Sequence, residues 1–309
     1  MSLLICLPNK FQPQLLSNAL KSLDSELHIE IGKEHVKNNS SVEFAVDWKN
    51  HEGHLLNYPN LKAILSYSHG VDNLLSSTEL PQGIPIARLK DETMAKLMSE
   101  YLLAVVLLHR RQLLNYAKNP EFSNWGTSKY HPGNQIGILG LGYLGQASAK
   151  MFLRMGFDVA GWSRRIKQIE GIKCFSETKS LLKMLSQTDY LINLLPNTSD
   201  TLDFLNYQIL SMLKRGAYVI NVGRGKTLVD EDLIELLDSG HLSGACLDVF
   251  RTEPLPFKHK FRNHNKILIT PHNSSITQAE FAAPQILENY RRAISGKKLL
   301  HLVDMKHGY

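Results

Sequence analysis

The chain has 309 residues, 43% hydrophobic and 21% charged, a composition that excludes long disordered segments and suggests two domains. The formal net charge is +6, but the basic residues occur as isolated pairs, which argues against a nucleic-acid-binding surface. The three cysteines have no C-x-x-C spacing, and Met1–Leu7 lacks the pattern of a signal peptide. The longest apolar run, Leu102–Leu108, is too short to span a membrane. We therefore predict a cytoplasmic protein that does not enter a membrane.

The first third of the chain alternates short apolar segments with helical and loop segments, the pattern of a small parallel α/β sheet. A helix is predicted over Pro13–Leu23. The predicted strands are Leu3–Leu7, Leu61–Ser66 and Ile84–Ala87, and weaker elements lie around His28–Ile31 and Phe44–Val46. We therefore expect a first domain over residues 1–97.

The middle of the chain predicts a second, larger α/β domain. A long helix over Ala95–Asn115 leads into it, since apolar residues recur there at helical spacing. Six strands follow, the number of a full doubly wound dinucleotide fold, at 136–140, 158–162, 190–194, 218–222, 245–249 and 267–270. A last helix, Gln278–Ser295, is expected to return to the first domain. The predicted domains are thus 98–272 for dinucleotide binding, and 1–97 with 273–309 for substrate binding.

The second domain opens on a glycine-rich segment that joins a buried strand to a helix-forming run. Gly140, Gly142 and Gly145 match the G-x-G-x-x-G pattern of a dinucleotide-binding turn. The first glycine permits the tight turn, the second lets the backbone approach a pyrophosphate, and the third lets the helix pack on the strand. The helix that starts at Tyr143 and Leu144 would point its first amides at the phosphates. Because this pattern also occurs without a nucleotide, the strand–helix–strand order around it matters.

The next predicted strand ends in Trp162, Ser163, Arg164 and Arg165, where the adenosine ribose of a bound dinucleotide would lie. Folds that prefer NAD carry a carboxylate there, about 20 residues after the glycines, to bind the ribose 2′-hydroxyl. This chain instead offers a hydroxyl and two guanidinium groups, which suit a 2′-phosphate. The turn therefore favours NADP over NAD, the alternative being a loop with exposed arginines.

Three candidate catalytic residues each follow a predicted strand of this domain. Arg224 stands between two glycines, where a guanidinium group is well placed to bind a carboxylate. Glu253 lies in a proline-stiffened loop, and His272 follows the next strand. In open α/β sheets, ligands bind at the carboxyl ends of the strands. Any one of the three could be structural, but together they indicate an active site at this edge.

Taken in order, the motifs resemble those of the D-isomer-specific 2-hydroxyacid dehydrogenases over nearly the whole chain. The matching segments are Gly140–Gly145, Val222–Gly225, Gly244–Phe250, Glu253–Pro256 and Thr270–His272. Trp48, the Tyr67–Asp72 loop, the Trp162–Arg164 turn and the 273–277 tail resemble the glyoxylate/hydroxypyruvate reductase A branch. The resemblance implies an α/β protein of two doubly wound domains, with a Rossmann NAD(P)-binding domain inserted into a discontinuous flavodoxin-like substrate domain.

The resemblance also implies a role for each candidate residue. Arg224 would hold the substrate carboxylate and polarise the ketone, His272 would protonate the carbonyl oxygen as hydride arrives, and Glu253 would orient the histidine ring. Substrate contacts are implied for Trp48, His69, Gly70, Val71, Arg224 and His272. Dinucleotide contacts are implied for Gly140, Gly142, Tyr143, Leu144, Gly145, Trp162, Ser163, Arg164, Arg165, Leu195, Pro196, Val222, Gly223, Arg224 and Asp248.

The leading hypothesis is an NADP-preferring oxidoreductase, with NAD as the second nucleotide, that reduces glyoxylate, hydroxypyruvate and similar 2-oxo acids. The alternatives are an NAD-preferring D-lactate or phosphoglycerate type, a 2-ketogluconate type, or a non-catalytic nucleotide-sensing protein. The presence of Arg224, Glu253 and His272 favours an enzyme. The resemblance implies a homodimer, which the irregular arm over residues 116–134 could form. No metal site is predicted.

Overall fold

The computed structural model describes residues 1–77, 79–118 and 130–305. The chain divides into two compact units, one made of Met1–Met94 together with the chain from Ile276 onward, the other of Ala95–Ser275. The first unit is therefore discontinuous in sequence, and the second is inserted into it. Substrate binding by the first unit and dinucleotide binding by the second are predictions from the sequence.

A five-stranded parallel sheet forms the centre of the first unit. Its strands are β1 (Ser2–Cys6), β2 (Ile29–Ile31), β3 (Val42–Asp47), β4 (Ala63–Ser66) and β5 (Ile86–Arg88), in the spatial order β2-β1-β3-β4-β5. This is the strand order of flavodoxin-like folds. Three of these strands, β1, β4 and β5, are predicted from the sequence within two residues, and the two weaker elements coincide with β2 and β3.

Helices cover this sheet because its inner strands are apolar on both faces. Leu3, Leu4 and Ile5 in β1 are fully buried, as expected of a strand covered on both sides. The helices of this unit are α1 (Pro13–Leu23), α2 (Asp72–Leu75) and α9 (Ala279–Ile294), with 3₁₀ helices at Asn9–Phe11, Lys33–His35, Asn39–Ser41 and His51–Asn57. α1 begins at the proline, whose fixed φ suits the first helical position. It packs against α9, so the end of the chain completes the first unit.

A seven-stranded parallel sheet forms the centre of the second unit. Its strands are β6 (Gln135–Leu139), β7 (Asp158–Trp162), β8 (Lys173–Phe175), β9 (Tyr190–Asn193), β10 (Ala217–Asn221), β11 (Leu242–Leu247) and β12 (Ile267–Ile269). Their spatial order is β12-β11-β10-β9-β6-β7-β8, the doubly wound dinucleotide order with one further edge strand. Six strands were predicted, and the seventh, β8, was missed because three residues at a sheet edge carry no legible alternation.

The helices of this part of the chain are α3 (Glu92–Arg110), α4 (Leu113–Lys118), α5 (Tyr143–Arg154), α6 (Thr178–Leu185), α7 (Tyr207–Leu210) and α8 (Asp230–Asp238), with 3₁₀ helices at Gly225–Thr227 and Lys260–Asn263. The single helix predicted over Ala95–Asn115 is wrong in its end, because Gln112 between α3 and α4 has a φ of 54°. A left-handed residue interrupts helical geometry, and no glycine or proline marks this one in the sequence. The predicted arm over 116–134 lies largely outside the described residues. Within the described ranges, no helix is long and apolar enough to cross a bilayer.

Asp47 ends β3 and organises the loop that follows it. Its Oδ1 accepts hydrogen bonds from the backbone N–H groups of residues 48–50. Its Oδ2 lies 2.6 Å from Nε2 of His54, and both side chains are 3% exposed. Burial alone would lower the pKa of His54, but the hydrogen bond with Asp47 and the thiol of Cys6 raise it to about 9.

This pair predicts a pH dependence of stability. The imidazolium of His54 stabilises the fold fully below the unfolded pKa of 6.5, and the contribution is lost as the pH rises through about 9. The free energy of unfolding should therefore fall by up to about 3 kcal/mol across that window. Urea unfolding at pH 6.5 and at higher pH measures this fall. The His54→Gln variant should show a flatter profile, and equal slopes in the two proteins would contradict the assignment.

Candidate functional site

The loop between β6 and α5 forms an open backbone cradle at the carboxyl edge of the seven-stranded sheet. Gly140 has a φ of 98°, which residues with a side chain rarely adopt. A Cβ on Gly142 would meet nothing within 4 Å, whereas a Cβ on Gly145 would lie 2.0 Å from the Gly140 carbonyl oxygen. α5 then begins at Tyr143 without a side-chain cap and continues through Leu144, so its N-terminus presents backbone N–H groups. Such a cradle fits the phosphates of a dinucleotide.

The cradle stands where the strand order reverses, between the neighbouring strands β6 and β9. In doubly wound folds this switch point is where a nucleotide binds. The loop after β9 passes close to the glycines, because a Cβ on Gly140 would lie 2.9 Å from the carbonyl oxygen of Leu194. Leu195 is buried in this loop, and the carbonyl of Pro196 accepts a hydrogen bond from Thr201. Both predicted cofactor residues of this loop thus lie at the switch point.

The turn after β7 lies beside the cradle, because β7 is the neighbour of β6. The indole ring of Trp162 stacks on Phe204, with ring centroids 5.5 Å apart. The hydroxyl of Ser163 donates to the carbonyl oxygen of Arg165 at 2.8 Å and closes the turn. Arg164 and Arg165 are exposed. The structure thus brings two guanidinium groups to the sheet edge that carries the glycines.

A buried polar network fixes the backbone that carries Arg224. Asn193, Asn221 and Thr227 are all fully buried at the ends of β9 and β10 and in the 3₁₀ helix after β10. The amide of Asn193 donates to Asn221 Oδ1 at 2.9 Å and to Thr227 Oγ1 at 2.7 Å. The side chains of Asn221 and Thr227 in turn donate to the backbone carbonyl of Arg224. The guanidinium group itself donates to the carbonyl of Gly223, which follows Val222 at the strand end.

Glu253 and His272 form a hydrogen-bonded pair at the same edge. His272 Nδ1 lies 2.7 Å from Glu253 Oε2, and the backbone N–H of Phe250 donates to Oε1 at 2.9 Å. Burial raises the pKa of Glu253, but the hydrogen bonds from His272 and Phe250 and the positive charge of Arg224 bring it below its ordinary value. The carboxylate is therefore ionised at neutral pH. Because Nδ1 faces the carboxylate, Nε2 is the ring nitrogen left for a ligand.

The turn that carries His272 is held by Asp248, whose side chain is fully buried. Its carboxylate accepts from the hydroxyl of Thr270 at 2.6 Å and from the backbone N–H groups of residues 273 and 274. The hydroxyl of Tyr101, on α3, lies 2.6 Å from that of Thr270. His272 has a φ of 53°, a left-handed conformation that costs about 1–2 kcal/mol and is offset by these bonds.

In the first unit, Trp48 and residues 69–71 follow the neighbouring strands β3 and β4, so they share one edge of the five-stranded sheet. The ring of Trp48 packs edge-on against Phe11, with centroids 5.3 Å apart. His69 Nδ1 lies 3.2 Å from the carbonyl oxygen of Leu89. Within the part of the chain that the structure describes, the backbone N–H groups of Gly70 and Val71 have no acceptor. Such groups suit an anion.

Known proteins match this chain closely. Residues 103–274, more than half of the chain, match the sequence profile of the D-isomer specific 2-hydroxyacid dehydrogenase NAD binding domain. The glyoxylate/hydroxypyruvate reductase A of Serratia proteamaculans is 38% identical over 275 residues, which cover 87% of this chain and 88% of that protein. This chain belongs to the D-isomer-specific 2-hydroxyacid dehydrogenase family. It is therefore an NAD(P)-dependent oxidoreductase.

Two solved structures of D-2-hydroxyacid dehydrogenases resemble this one throughout. The enzyme from Xanthobacter autotrophicus Py2, in complex with NADPH and MES, is 36% identical, with a TM-score of 0.94 and coverage of 100% of this chain and 99% of that one. The NADPH-dependent glyoxylate/hydroxypyruvate reductase from Sinorhizobium meliloti, in complex with NADP and sulfate, is 33% identical, with a TM-score of 0.92 and full coverage of both chains. These likenesses confirm the predicted fold class and the family resemblance.

Two residues that hold the turn of His272 were not predicted from the sequence of this dehydrogenase. Thr270 and Tyr101 fix the turn through Asp248, which was predicted only as a dinucleotide contact. A threonine at a strand end is too common to be a signal, and Tyr101 precedes Thr270 by 169 positions.

The glycine loop of this dehydrogenase provides a matched pair of substitutions. Gly142→Ala should leave thermal stability unchanged, since its Cβ meets no protein atom, but weaken dinucleotide binding about tenfold or more. Gly145→Ala should destabilise the fold by about 1–3 kcal/mol, since its Cβ collides with the Gly140 carbonyl. Thermal unfolding without ligand and a fluorescence titration with the dinucleotide measure both. A Gly142→Ala protein that binds the dinucleotide with wild-type affinity would contradict the proposed role of this loop.

Proposed function

We propose that this enzyme reduces small 2-oxo acids, glyoxylate and hydroxypyruvate first, to 2-hydroxy acids with NADPH. The observation that carries the proposal is the His272–Glu253 pair, which lies on the sheet edge that also carries Arg224. A carboxylate-binding cation beside an acid/base histidine is the minimum that a 2-oxo acid reductase needs. The similarity to glyoxylate/hydroxypyruvate reductases supports this substrate class.

Arg224 binds and orients the substrate in this proposal. Its planar guanidinium group can form two parallel hydrogen bonds with the substrate carboxylate, which fixes the orientation of the adjoining 2-oxo group. Because Asn221 and Thr227 hold the backbone of Arg224 from beneath, the position of the guanidinium group is set before the substrate arrives. A positive charge beside the ketone also draws electrons from the carbonyl carbon.

His272 supplies the proton. Nε2 donates it to the carbonyl oxygen while the carbonyl carbon receives hydride from the nicotinamide, so that one hydride and one proton convert the 2-oxo group to an alcohol. Glu253 holds Nδ1, which keeps the ring oriented and places a negative charge behind it. In the reverse direction Nε2 accepts the proton of the alcohol.

The turn after β7 selects NADPH in this proposal. An Arg164→Gln/Arg165→Gln double variant should raise the KM for NADPH by about 10- to 100-fold, because charge-assisted bonds to the 2′-phosphate are lost. The KM for NADH, which lacks that phosphate, should change by less than about threefold. Lys167→Gln, an exposed charge in the same segment, is the matched control and should leave both KM values unchanged. Equal effects on the two nucleotides would contradict the assignment.

An absorbance assay that follows the oxidation of reduced nicotinamide tests the proposed function. NADPH and NADH are each assayed with glyoxylate, hydroxypyruvate and pyruvate. Turnover with NADPH and glyoxylate supports it. Turnover with NADH alone would overturn the nucleotide preference but keep the catalytic residues, and would favour an NAD-preferring relative. If the protein binds nucleotide but reduces no 2-oxo acid, the proposed enzymatic function is overturned in favour of a nucleotide-sensing role.

We also propose that Trp48 and the backbone amides of residues 69–71 contribute to substrate binding. The two amides without an acceptor in the described chain support this, as does the shared strand edge. The predicted homodimer and cytoplasmic location belong to the same proposal, and sedimentation that shows only monomer would overturn the first.

A further inference from the structure

Three side chains of different chemistry meet at the carboxyl edge of the five-stranded sheet. Cys6 and Asp47 are register partners at the ends of β1 and β3, and His54 lies in the 3₁₀ helix after β3. One sulfur, oxygen or nitrogen atom of each lies within 4.8 Å of the other two. Asp47 and His54 are buried, while Cys6 is partly exposed. The proposed dehydrogenase mechanism uses none of the three.

The distances identify a hydrogen-bonded pair, not a set of metal ligands. His54 Nε2 and Asp47 Oδ2 are 2.6 Å apart. Two ligands of one zinc ion, each bonded at about 2.0–2.1 Å in a tetrahedron, would lie about 3.3 Å apart. The other carboxylate oxygen already accepts hydrogen bonds from three backbone N–H groups. Asp47 therefore serves as an orienting partner of the imidazole ring.

Asp47 does not use the second ring nitrogen of His54. Among the side chains that the structure describes, Nδ1 is buried without a hydrogen-bond partner. The thiol of Cys6 acts on the ring strongly enough to contribute to its raised pKa. The remaining titratable groups nearby are Tyr58, whose ring lies edge-on at 6.2 Å from that of His54, and Glu34, whose charge acts on Tyr58. The thiol and the carboxylate thus both lie beside one imidazole ring.

We propose that Cys6 is a reactive thiol, activated by the His54–Asp47 pair and modified by peroxides and by soft alkylating agents. A thiol close to a charged imidazole activates cysteine nucleophiles in general, because the imidazolium stabilises the thiolate while a carboxylate holds the ring. The proposal does not rest on the proposed dehydrogenase reaction, although Asp47 also holds the backbone of Trp48, a proposed substrate contact.

The oxidation step balances with groups present at the site and one peroxide. The thiolate sulfur of Cys6 attacks one oxygen of hydrogen peroxide, and the O–O bond breaks. The departing hydroxide takes a proton from the imidazolium of His54 and leaves as water. The sulfur is oxidised to a sulfenic acid, the peroxide is reduced, and His54 regains a proton from solvent.

The other two cysteines of the chain are internal controls for this proposal. Cys174 is partly exposed, like Cys6, but burial raises the pKa of its thiol. Cys246 is fully buried, and burial raises the pKa of its thiol to about 12. All three are free thiols, so a single labelling experiment ranks them in the same folded molecule.

Site-resolved mass spectrometry tests the ranking on the full chain at pH 7. Iodoacetamide measures alkylation, and hydrogen peroxide followed by dimedone measures sulfenic acid. Cys6 should react about tenfold faster than Cys174 or more in both experiments, and Cys246 should stay unmodified while the chain is folded. Equal rates for Cys6 and Cys174 in the wild-type protein would overturn the proposal, whatever the variants do.

The His54→Gln and Asp47→Asn variants test the activating pair. Both should bring the rate at Cys6 down to about that of Cys174. Circular dichroism and urea unfolding report whether each variant is folded, because Cys246 lies in the second unit and its protection does not test the first. A folded His54→Gln protein in which Cys6 keeps its wild-type rate would overturn the role of the imidazole.

Discussion

Replacing His272 with glutamine should lower kcat for reduction of 2-oxo acids by about 10²–10⁴, because an amide cannot transfer a proton to the carbonyl oxygen. The nitrogen concerned is Nε2, since Nδ1 is held by Glu253. Dinucleotide affinity should stay unchanged, because the glycine cradle and the turn after β7 do not use the imidazole. Steady-state kinetics with NADPH and glyoxylate, together with a dinucleotide titration, measure the two quantities separately.

A second histidine of the same unit is the matched control for this substitution. His264 Nε2 lies 3.2 Å from Asp238 Oδ1, so it also forms a histidine–carboxylate pair, but away from the candidate site. His264→Gln should leave kcat within about twofold. Glu253→Gln, which keeps an acceptor for Nδ1 but removes the charge, should cause a smaller loss than His272→Gln. A His272→Gln enzyme within about tenfold of wild type would show that another group donates the proton.

Replacing Arg224 with glutamine should lower kcat/KM for 2-oxo acids by about 10²–10³, because the substrate carboxylate loses its charged partner. Most of the loss should be expressed in KM, with a further fall in kcat because the ketone is no longer oriented. The positive charge of Arg224 also contributes to the low pKa of Glu253, so some effect on the histidine pair is expected. Initial rates over a range of glyoxylate concentrations separate the two parameters.

The conservative variant distinguishes charge from geometry. Arg224→Lys keeps the charge but loses the planar fork of donors, so its kcat/KM should fall between those of wild type and Arg224→Gln. Arg215→Gln removes an exposed arginine just before β10, beyond the opposite end of the strand from Arg224, and should have no effect. An Arg224→Gln enzyme with an unchanged KM would exclude Arg224 from carboxylate binding.

The local chain pattern is enough to predict most of the architecture of this protein. Three kinds of feature depend only on neighbours in the sequence and can therefore be predicted from it. They are the glycine spacing, the alternation of apolar strands with helices, and the residues at strand ends. Three strands of the first sheet and six of the seven in the second were predicted, and the two weaker elements of the first third are the other two strands of the first sheet. Because parallel strands share one carboxyl edge, the placement of Arg224, Glu253 and His272 after successive strands also predicted that they lie at one edge.

The features that were missed depend on contacts between distant segments. β8 is a strand only because it pairs with the edge of β7, and the break at Gln112 has no local marker. The hydrogen bonds that hold the His272 turn join α3, β11 and β12.

The cluster of Cys6, Asp47 and His54 forms only when β1 and β3 pair side by side. Sequence by itself therefore determined the family and the fold class, and it named the residues that carry the proposed chemistry. Tertiary structure alone decided which buried polar groups orient those residues, because hydrogen-bond partners are chosen by position in space and have no fixed spacing along the chain.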